Sequence, residues 1–473
     1  RATAFGESTH GGDVQVEVLS TGGSGGAGDA GADGGDGPDS VANNDAAGST
    51  AGLLRLIQTS RAGGGGRAWG GGVAGGGGDS SSILVAENPG GGALHGIVSS
   101  SGGTGGDAAN GSVQGGDGGD GYVEAQLTNI GAVTLTIYSA GGSGGDGLLP
   151  GSPGVGTIGH IFAESTTGEL VDVDARIVGG SGGSPLTGEL AGGANGADLS
   201  LFDAVDGFTT GDLILRQTAV GGGGGSVSRL PDGDGGDGGD AYSSLKREKN
   251  VGSLTVISRA EGGSPGQGGS GVYGVAGEST AIASATNTGG AASAGVGAIG
   301  AFRGDAHANA TARTTGDGHD VNVFGTLSGP FEFQRDDINA IGGGATADGF
   351  STSTGIAEGN STVTVSDVAL GGVGLRSNER VNAVGGDGGL GSSSASGRNA
   401  GDEDVIVSAT GRGGDGGQAS HGLGGHGGEG SAAASGESTG GGAVYVTATE
   451  IGGDGGSGIL GGRGADAEIR DAV

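Results

Sequence analysis

The sequence contains no cysteine and no methionine, two lysines (Lys246 and Lys249) and one tryptophan, Trp69. Each shortage removes a class of explanation. Without cysteine there is no disulfide scaffold and no thiolate chemistry. Aromatic residues are 3% of the chain, so the large side chains that fill an ordinary globular interior are missing. No apolar run approaches the ~18 residues that cross a bilayer as a helix, so membrane insertion is not expected. Basic residues number 20 against 53 acidic ones, a formal net charge of −33. Such a field repels nucleic acid and anionic membranes, and leaves divalent cations or a salty, screening medium as the natural surroundings. The chain opens on Arg1 and Ala2 rather than methionine, which suggests a processed mature chain whose export signal is gone, or a fragment of something longer. The expected location is extracellular or at the cell surface.

What is present is glycine: 128 residues of 473, with 8 prolines. Without periodicity that level means disorder, and on folding it carries a large entropy cost that something regular must offset. The regularity is visible. Alternating apolar runs, the signature of half-buried strands, begin at Val14, Leu54, Leu94, Val133, Val171, Leu213, Leu254, Val321, Val363, Val405 and Val444. Successive steps are 40, 40, 39, 38, 42, 41, 67, 42, 42 and 39 residues. The unit is therefore about 40 residues, and the anomalous step predicts an irregular, partly deleted repeat over 258–320.

A second strand signal of alanine and small polar residues precedes many valine runs, as in Ala2 to Thr9, Phe162 to Thr166, Ala306 to Thr311 and Ala433 to Thr439. After most valine runs comes Gly-Gly-x-Gly-Gly, for example Gly22 to Gly26, Gly102 to Gly106, Gly115 to Gly119, Gly141 to Gly145 and Gly235 to Gly239. A glycine spacing of three is that of a polyproline-II-type helix, which has no internal hydrogen bonds. Side by side, such segments satisfy their amides between neighbours; flexible linkers are the competing reading. No sustained helical stripe occurs. The expected fold is all-β, a β-solenoid or stacked sheets of about 11 to 12 units over residues 1–473, with glycine-rich polyproline-II-type segments between strands.

Motifs that carry chemistry are few. Gly115 to Tyr122, Gly141 to Leu148 and Gly235 to Tyr242 fit the calcium-binding nonapeptide, with Asp117, Asp120, Asp146, Asp237 and Asp240 as candidate ligands and calcium as the one cofactor to consider. Each match stands alone in its own unit, whereas shared calcium sites need tandem copies. Gly-x-Ser-x-Gly occurs around Ser24, Ser143 and Ser181, but no helix signal follows, as a nucleophile elbow requires. His421 and His426 lie close together among glycines with no third ligand nearby, and no Gly-Lys pair exists for a phosphate loop. Glycosylation sequons stand at Asn110, Asn309 and Asn360. The chain is not expected to be an enzyme.

The ends say more. An alanine-type strand with Ala2, Ala4 and Phe5 opens the chain, and residues 464–473, with Ala465, Ala467 and Ile469, fall where the next such strand would form. Neither end carries a capping sequence, and open strand edges invite pairing with another copy. A head-to-tail contact of that kind grows into a filament.

At class level the arrangement resembles large secreted bacterial and archaeal repeat proteins that form adhesins, sheaths and fibres. The Gly-Gly-x-Gly-Gly blocks look like the polyglycine-II segments of phage tail adhesins and of one insect-like antifreeze protein, although this chain interleaves valine strands. The resemblance implies a self-associating extracellular filament or surface fibre. A discrete adhesin that binds surface glycans or a protein receptor is the alternative, and an ice- or mineral-binding face a third.

Overall fold

The computed structural model describes residues 2–109, 113–186, 192–227, 233–268, 273–301, 304–325, 340–341, 347–376 and 383–466. Among these there is no helix: the chain is a parallel β-solenoid whose repeat of about 40 residues carries it once around. It forms two compact units, Arg1–Ala241 with Gly262–Ala276, and Tyr242–Glu261 with Gly277–Val473.

In the first unit the valine-type strands are Val14–Thr21, Leu54–Arg61, Leu94–Ser101, Val133–Ala140, Val171–Val178 and Asp212–Val220, each parallel to the next. Their register is strict: Leu54 pairs with Leu94, Leu94 with Val133, Val133 with Val171 and Val171 with Leu213. Alternation then sorts the faces, so Val133, Leu135 and Ile137 are buried while Thr134 and Thr136 turn outward.

In the second unit the corresponding strands are Ser253–Glu261, Ala291–Ile299, Val321–Gly325, Val363–Leu370, Val405–Arg412 and Val444–Ile451. The long step in the sequence contains a full strand, with Ala292 paired to Leu254 on one side and Val321 on the other. Its inward positions are Ala292, Ala294, Val296 and Ala298, three of them alanine, which is why the valine pattern passes over it. The following glycine part is cut to residues 300–305 before the strand Ala306–Thr314 begins.

The small-residue strands form the facing sheet. They include Ser80–Glu87, Gly121–Asn129 and Gly156–Ser165 in the first unit, and Ser279–Asn287, Ala306–Thr314, Gly349–Ala357, Gly391–Asn399 and Gly430–Ser438 in the second. Their composition follows from how closely the valine sheet approaches. A Cβ on Gly355 would lie 2.8 Å from Val365 Cγ2, and one on Gly397 would lie 2.7 Å from Val407 Cγ2. The core is thus a single aliphatic layer, thin enough to need almost no aromatic residue.

The glycine runs close each coil as two further layers joined mainly by hydrogen bonds, with Ala68, Ala74 and Ala108 forming a small buried cluster. Gly102 to Gly106 follows the valine strand and Gly115 to Gly119 leads back to the small-residue strand. Gly105 N–H donates to Ser143 O (2.9 Å) of the next coil in its own layer, whereas Gly106 N–H donates across to Gly75 O (2.9 Å) and Gly116 N–H to Gly106 O (2.9 Å). Burying this backbone is tolerable because its amides are paired.

Candidate functional site

The three-residue period assigns each glycine a direction. In the second coil a Cβ on Gly63 would meet Gly23 O at 1.8 Å, one on Gly66 would meet Gly26 O at 2.1 Å, and one on Gly65 would meet Gly75 O at 1.9 Å. Two positions of each three are therefore crowded by neighbouring backbone and held mostly by glycine, with alanine at Ala194 and Ala197, and the third faces out. The outward amide is the one that no other chain segment reaches, and aspartate supplies its acceptor. Asp39 Oδ1 accepts from Asp79 N–H, Asp79 Oδ1 from Asp120 N–H and Asp120 Oδ1 from Val155 N–H, each at 2.8 Å.

This is where the candidate calcium ligands lie. Asp117 Oδ1 accepts from Ser152 N–H (2.8 Å), Asp146 Oδ1 from Ser184 N–H (2.8 Å) and Asp237 Oδ1 from Val275 N–H (2.6 Å). Asp237 and Asp240 give their own N–H groups to Asn195 and Asp198, both at 2.8 Å. The five are distributed along outer ladders, and among the described residues no group of three or more acidic or histidine side chains gathers as a metal site. His426 gives its N–H to Asp387 and accepts Arg463 N–H at Nδ1, so it too works within a ladder. Of the sequons, Asn309 is exposed on a strand, Asn360 Oδ1 accepts two amides, and Asn110 lies outside the described residues.

The same-layer glycine bonds run one way. Gly22, Gly25 and Gly28 donate to Arg61, Gly64 and Arg67 of the following coil, and Gly413, Gly416 and Ala419 donate to Ile451, Asp454 and Ser457. Consequently the first coil presents the carbonyls of Thr21, Ser24 and Ala27, to which no described residue donates, and the last presents the N–H groups of Gly452, Gly455 and Gly458, which have no described acceptor. Acceptors and donors recur at the same three-residue interval.

Two more features mark these faces. Gly23 and Gly26 occupy the positions of Gly63 and Gly66, yet a Cβ there would meet nothing within 4 Å. In the last coil Val444 and Val446 are 41% and 45% exposed, whereas Val405 and Val407 one coil earlier are 0% and 1%. Of the expected self-assembly residues, Ala4 and Phe5 belong to the strand Ala4–Ser8, paired with Ala46–Thr50, and Phe5 is exposed. Ala2 is exposed before it, and Ala465 N–H donates to Gly453 O. Ala467 and Ile469 lie outside the described residues. The sequence pattern pointed to strand edges; the directional glycine amides, invisible in composition, are the stronger feature.

No protein family, curated protein or solved structure matches this chain.

Proposed function

We propose that the protein is a structural, non-catalytic subunit of an extracellular filament or surface fibre that grows by stacking the first coil of one copy on the last coil of another. The observation that carries this reading is the complementarity of the two faces. One offers carbonyls at Thr21, Ser24 and Ala27, and the other offers N–H groups at Gly452, Gly455 and Gly458. Joining like faces sets acceptor against acceptor or donor against donor, so only head-to-tail stacking satisfies the amides. Gly23 and Gly26 leave room for the close approach, and stacking covers the valines exposed in the last coil. The partner is a second copy of the chain. The extracellular setting rests on the composition: strong acidity and a surface suited to salt, while the lack of cysteine fits either compartment.

Electron microscopy and light scattering of the 473-residue chain test the reading. Uniform unbranched fibres are expected. The double variant Gly23→Ala/Gly26→Ala, whose added Cβ atoms would meet nothing within 4 Å in the chain, should fold with unchanged melting temperature and stay monomeric. Wild-type protein that remains single particles at high concentration, or a variant that polymerises as well as wild type, overturns the proposal.

A further inference from the structure

The first and last coils are built alike, 430 positions apart. Gly6-Glu7-Ser8-Thr9 recurs as Gly436-Glu437-Ser438-Thr439. In each coil the serine hydroxyl oxygen accepts the N–H four residues on, Ser8 Oγ from Gly12 and Ser438 Oγ from Gly442, both at 2.9 Å. Gly11 and Gly441 turn the chain there with φ of 77° and 104°, a region that favours glycine. The glycine before each turn packs on the valines beyond it. A Cβ on Gly6 would lie 2.7 Å from Val14 Cγ1 and 2.9 Å from Val16 Cγ2, and one on Gly436 would lie 2.6 Å from Val444 Cγ1 and 3.0 Å from Val446 Cγ2. Beyond the valines, Gly22 to Gly26 and Gly452 to Gly456 begin in the same phase.

Inside the chain, counterparts in neighbouring coils stand one over the other: Gly416 N–H donates to Asp454 O at 2.7 Å, and Asp415 Oδ1 accepts from Asp454 N–H at 3.0 Å. Two periods hold that alignment. Glycine amides recur every three residues, so by themselves they tolerate a slip of three. Strands alternate every two, and a slip of three sets the outward residues of one strand beside the inward residues of the next. A slip of six satisfies both but carries the turn at Gly441 past the one at Gly11. One position of the outer ladder also needs a particular neighbour. Successive coils hold it with Asp387, His426 and Arg463: Asp387 Oδ1 accepts from His426 N–H at 2.7 Å, and His426 Nδ1 from Arg463 N–H at 3.0 Å. Arginine has no acceptor, so its side chain cannot pass this pattern on, and its exposed guanidinium suits an anion instead. The residue 430 positions before Arg463 is Asp33, exposed in the first coil. Its Oδ1 accepts from Val73 N–H at 2.8 Å, and its second oxygen receives no described donor.

We infer that copies joined head to tail, the reading on which this rests, meet in one register: each residue of the last coil lies over the residue 430 positions earlier in the next copy, and Arg463 pairs with Asp33. Asp454 then accepts the next copy's Ser24 N–H, Gly455 N–H goes to the Ser24 carbonyl, and Val444 and Val446 cover Val14 and Val16. Gly23 and Gly26 come against the carbonyls of Gly453 and Gly456, as Gly63 and Gly66 do against those of Gly23 and Gly26 within the chain. Glu437 over Glu7 and Asp466 over Asp36 are like-charge neighbours, the first tempered by Arg398, whose Nε is 3.3 Å from Glu437 Oε2. Arg463 on Asp33 is thus the charge contact that favours joining.

Charge exchange tests the pairing, with fibres followed by light scattering and electron microscopy at low, fixed ionic strength. Arg463→Asp and Asp33→Arg should each raise the critical concentration for fibres about tenfold. An equimolar mixture of the two variants should bring it back to within about twofold of wild type, because in alternating order every junction again sets an arginine against an aspartate. Arg463→Asp removes no side-chain contact within the described residues, and melting curves establish that both variants are folded before mixing. Rescue by mixing compares the same two folded chains, so a loss of stability in either cannot produce it. Wild-type fibres without such rescue, or either variant polymerising alone as well as wild type, overturn the register and leave head-to-tail growth standing. Wild-type protein that forms no fibres overturns both.

Discussion

Among single residues, Asp367 is the most demanding. It is fully buried in the strand Val363–Leu370, at an inward position that Val98 and Val296 fill in other coils. Ser351 and Ser353 hydroxyls donate to Oδ1 and the Ser393 hydroxyl to Oδ2, each at 2.6 Å, and Ser394 N–H adds a fourth bond at 3.1 Å. Burial pushes the carboxyl above the ordinary aspartate range, against the downward pull of these donors. A raised folded-state value means that the folded chain holds the proton more tightly than the unfolded one. The stability this gives is complete below the unfolded value, near 3.8, and is lost as pH rises through the folded value. Asp367→Asn should remove that loss, so the melting-temperature difference, variant minus wild type, should become more positive as pH rises from about 3 to neutrality. A flat difference would show that the donors fully offset the burial. Asp367→Ala instead strands three serine hydroxyls and should cost about 3 to 5 kcal/mol in urea unfolding.

Elements were legible to the extent that their side chains announced a period. Valine strands stand out because an alternating bulky face has few other uses, and the glycine interval of three pointed correctly to polyproline-II-type packing. The strand Ala291–Ile299 was hidden because its inward residues Ala292, Ala294 and Val296 barely contrast with their outward neighbours. The breaks in the small-residue strands at Asn44 and Asp203, braced by the buried Gln58 and Gln217 of the valine sheet, were illegible for another reason: a single polar residue in a strand does not reveal that it supports a turn in the opposite sheet. The facing glycines of the small-residue strands yield a graded prediction. Gly397→Val puts Cβ 2.7 Å from Val407 Cγ2 in an interior coil and should destabilise by more than about 3 kcal/mol. Gly436→Val meets Val444 at 2.6 Å, but in the exposed last coil that valine can give way, and less than half the loss is expected. Equal losses in chemical denaturation would mean that the last coil is as rigid as the interior.

For the whole molecule, the excess of acidic residues is not scattered. Asp39, Asp79 and Asp120 stack coil upon coil as like charges, and the bonds they make to amides oppose their repulsion. Because they are exposed, ordinary salt should screen them, and melting temperature should climb by several degrees between about 0.01 and 0.5 M sodium chloride. A chelator at constant ionic strength should change nothing, since these carboxylates already have partners; a fall of more than a few degrees would reveal bound calcium. The acidic balance was plain in the composition, but not its arrangement, which depends on which of three directions a residue takes in a glycine helix.

The one-way glycine amides also give each unit an electrical axis. Parallel β-ladders send bonds both ways and nearly cancel, whereas the same-layer peptide dipoles of the glycine half point predominantly toward the higher-numbered coils, with exceptions such as Leu149 and Leu186 at the outer turn. Their sum leaves a partial negative pole at the carbonyl face and a partial positive pole at the amide face. A growing fibre would then carry two chemically unlike tips, and an ion or surface that blocks one would leave the other free to lengthen.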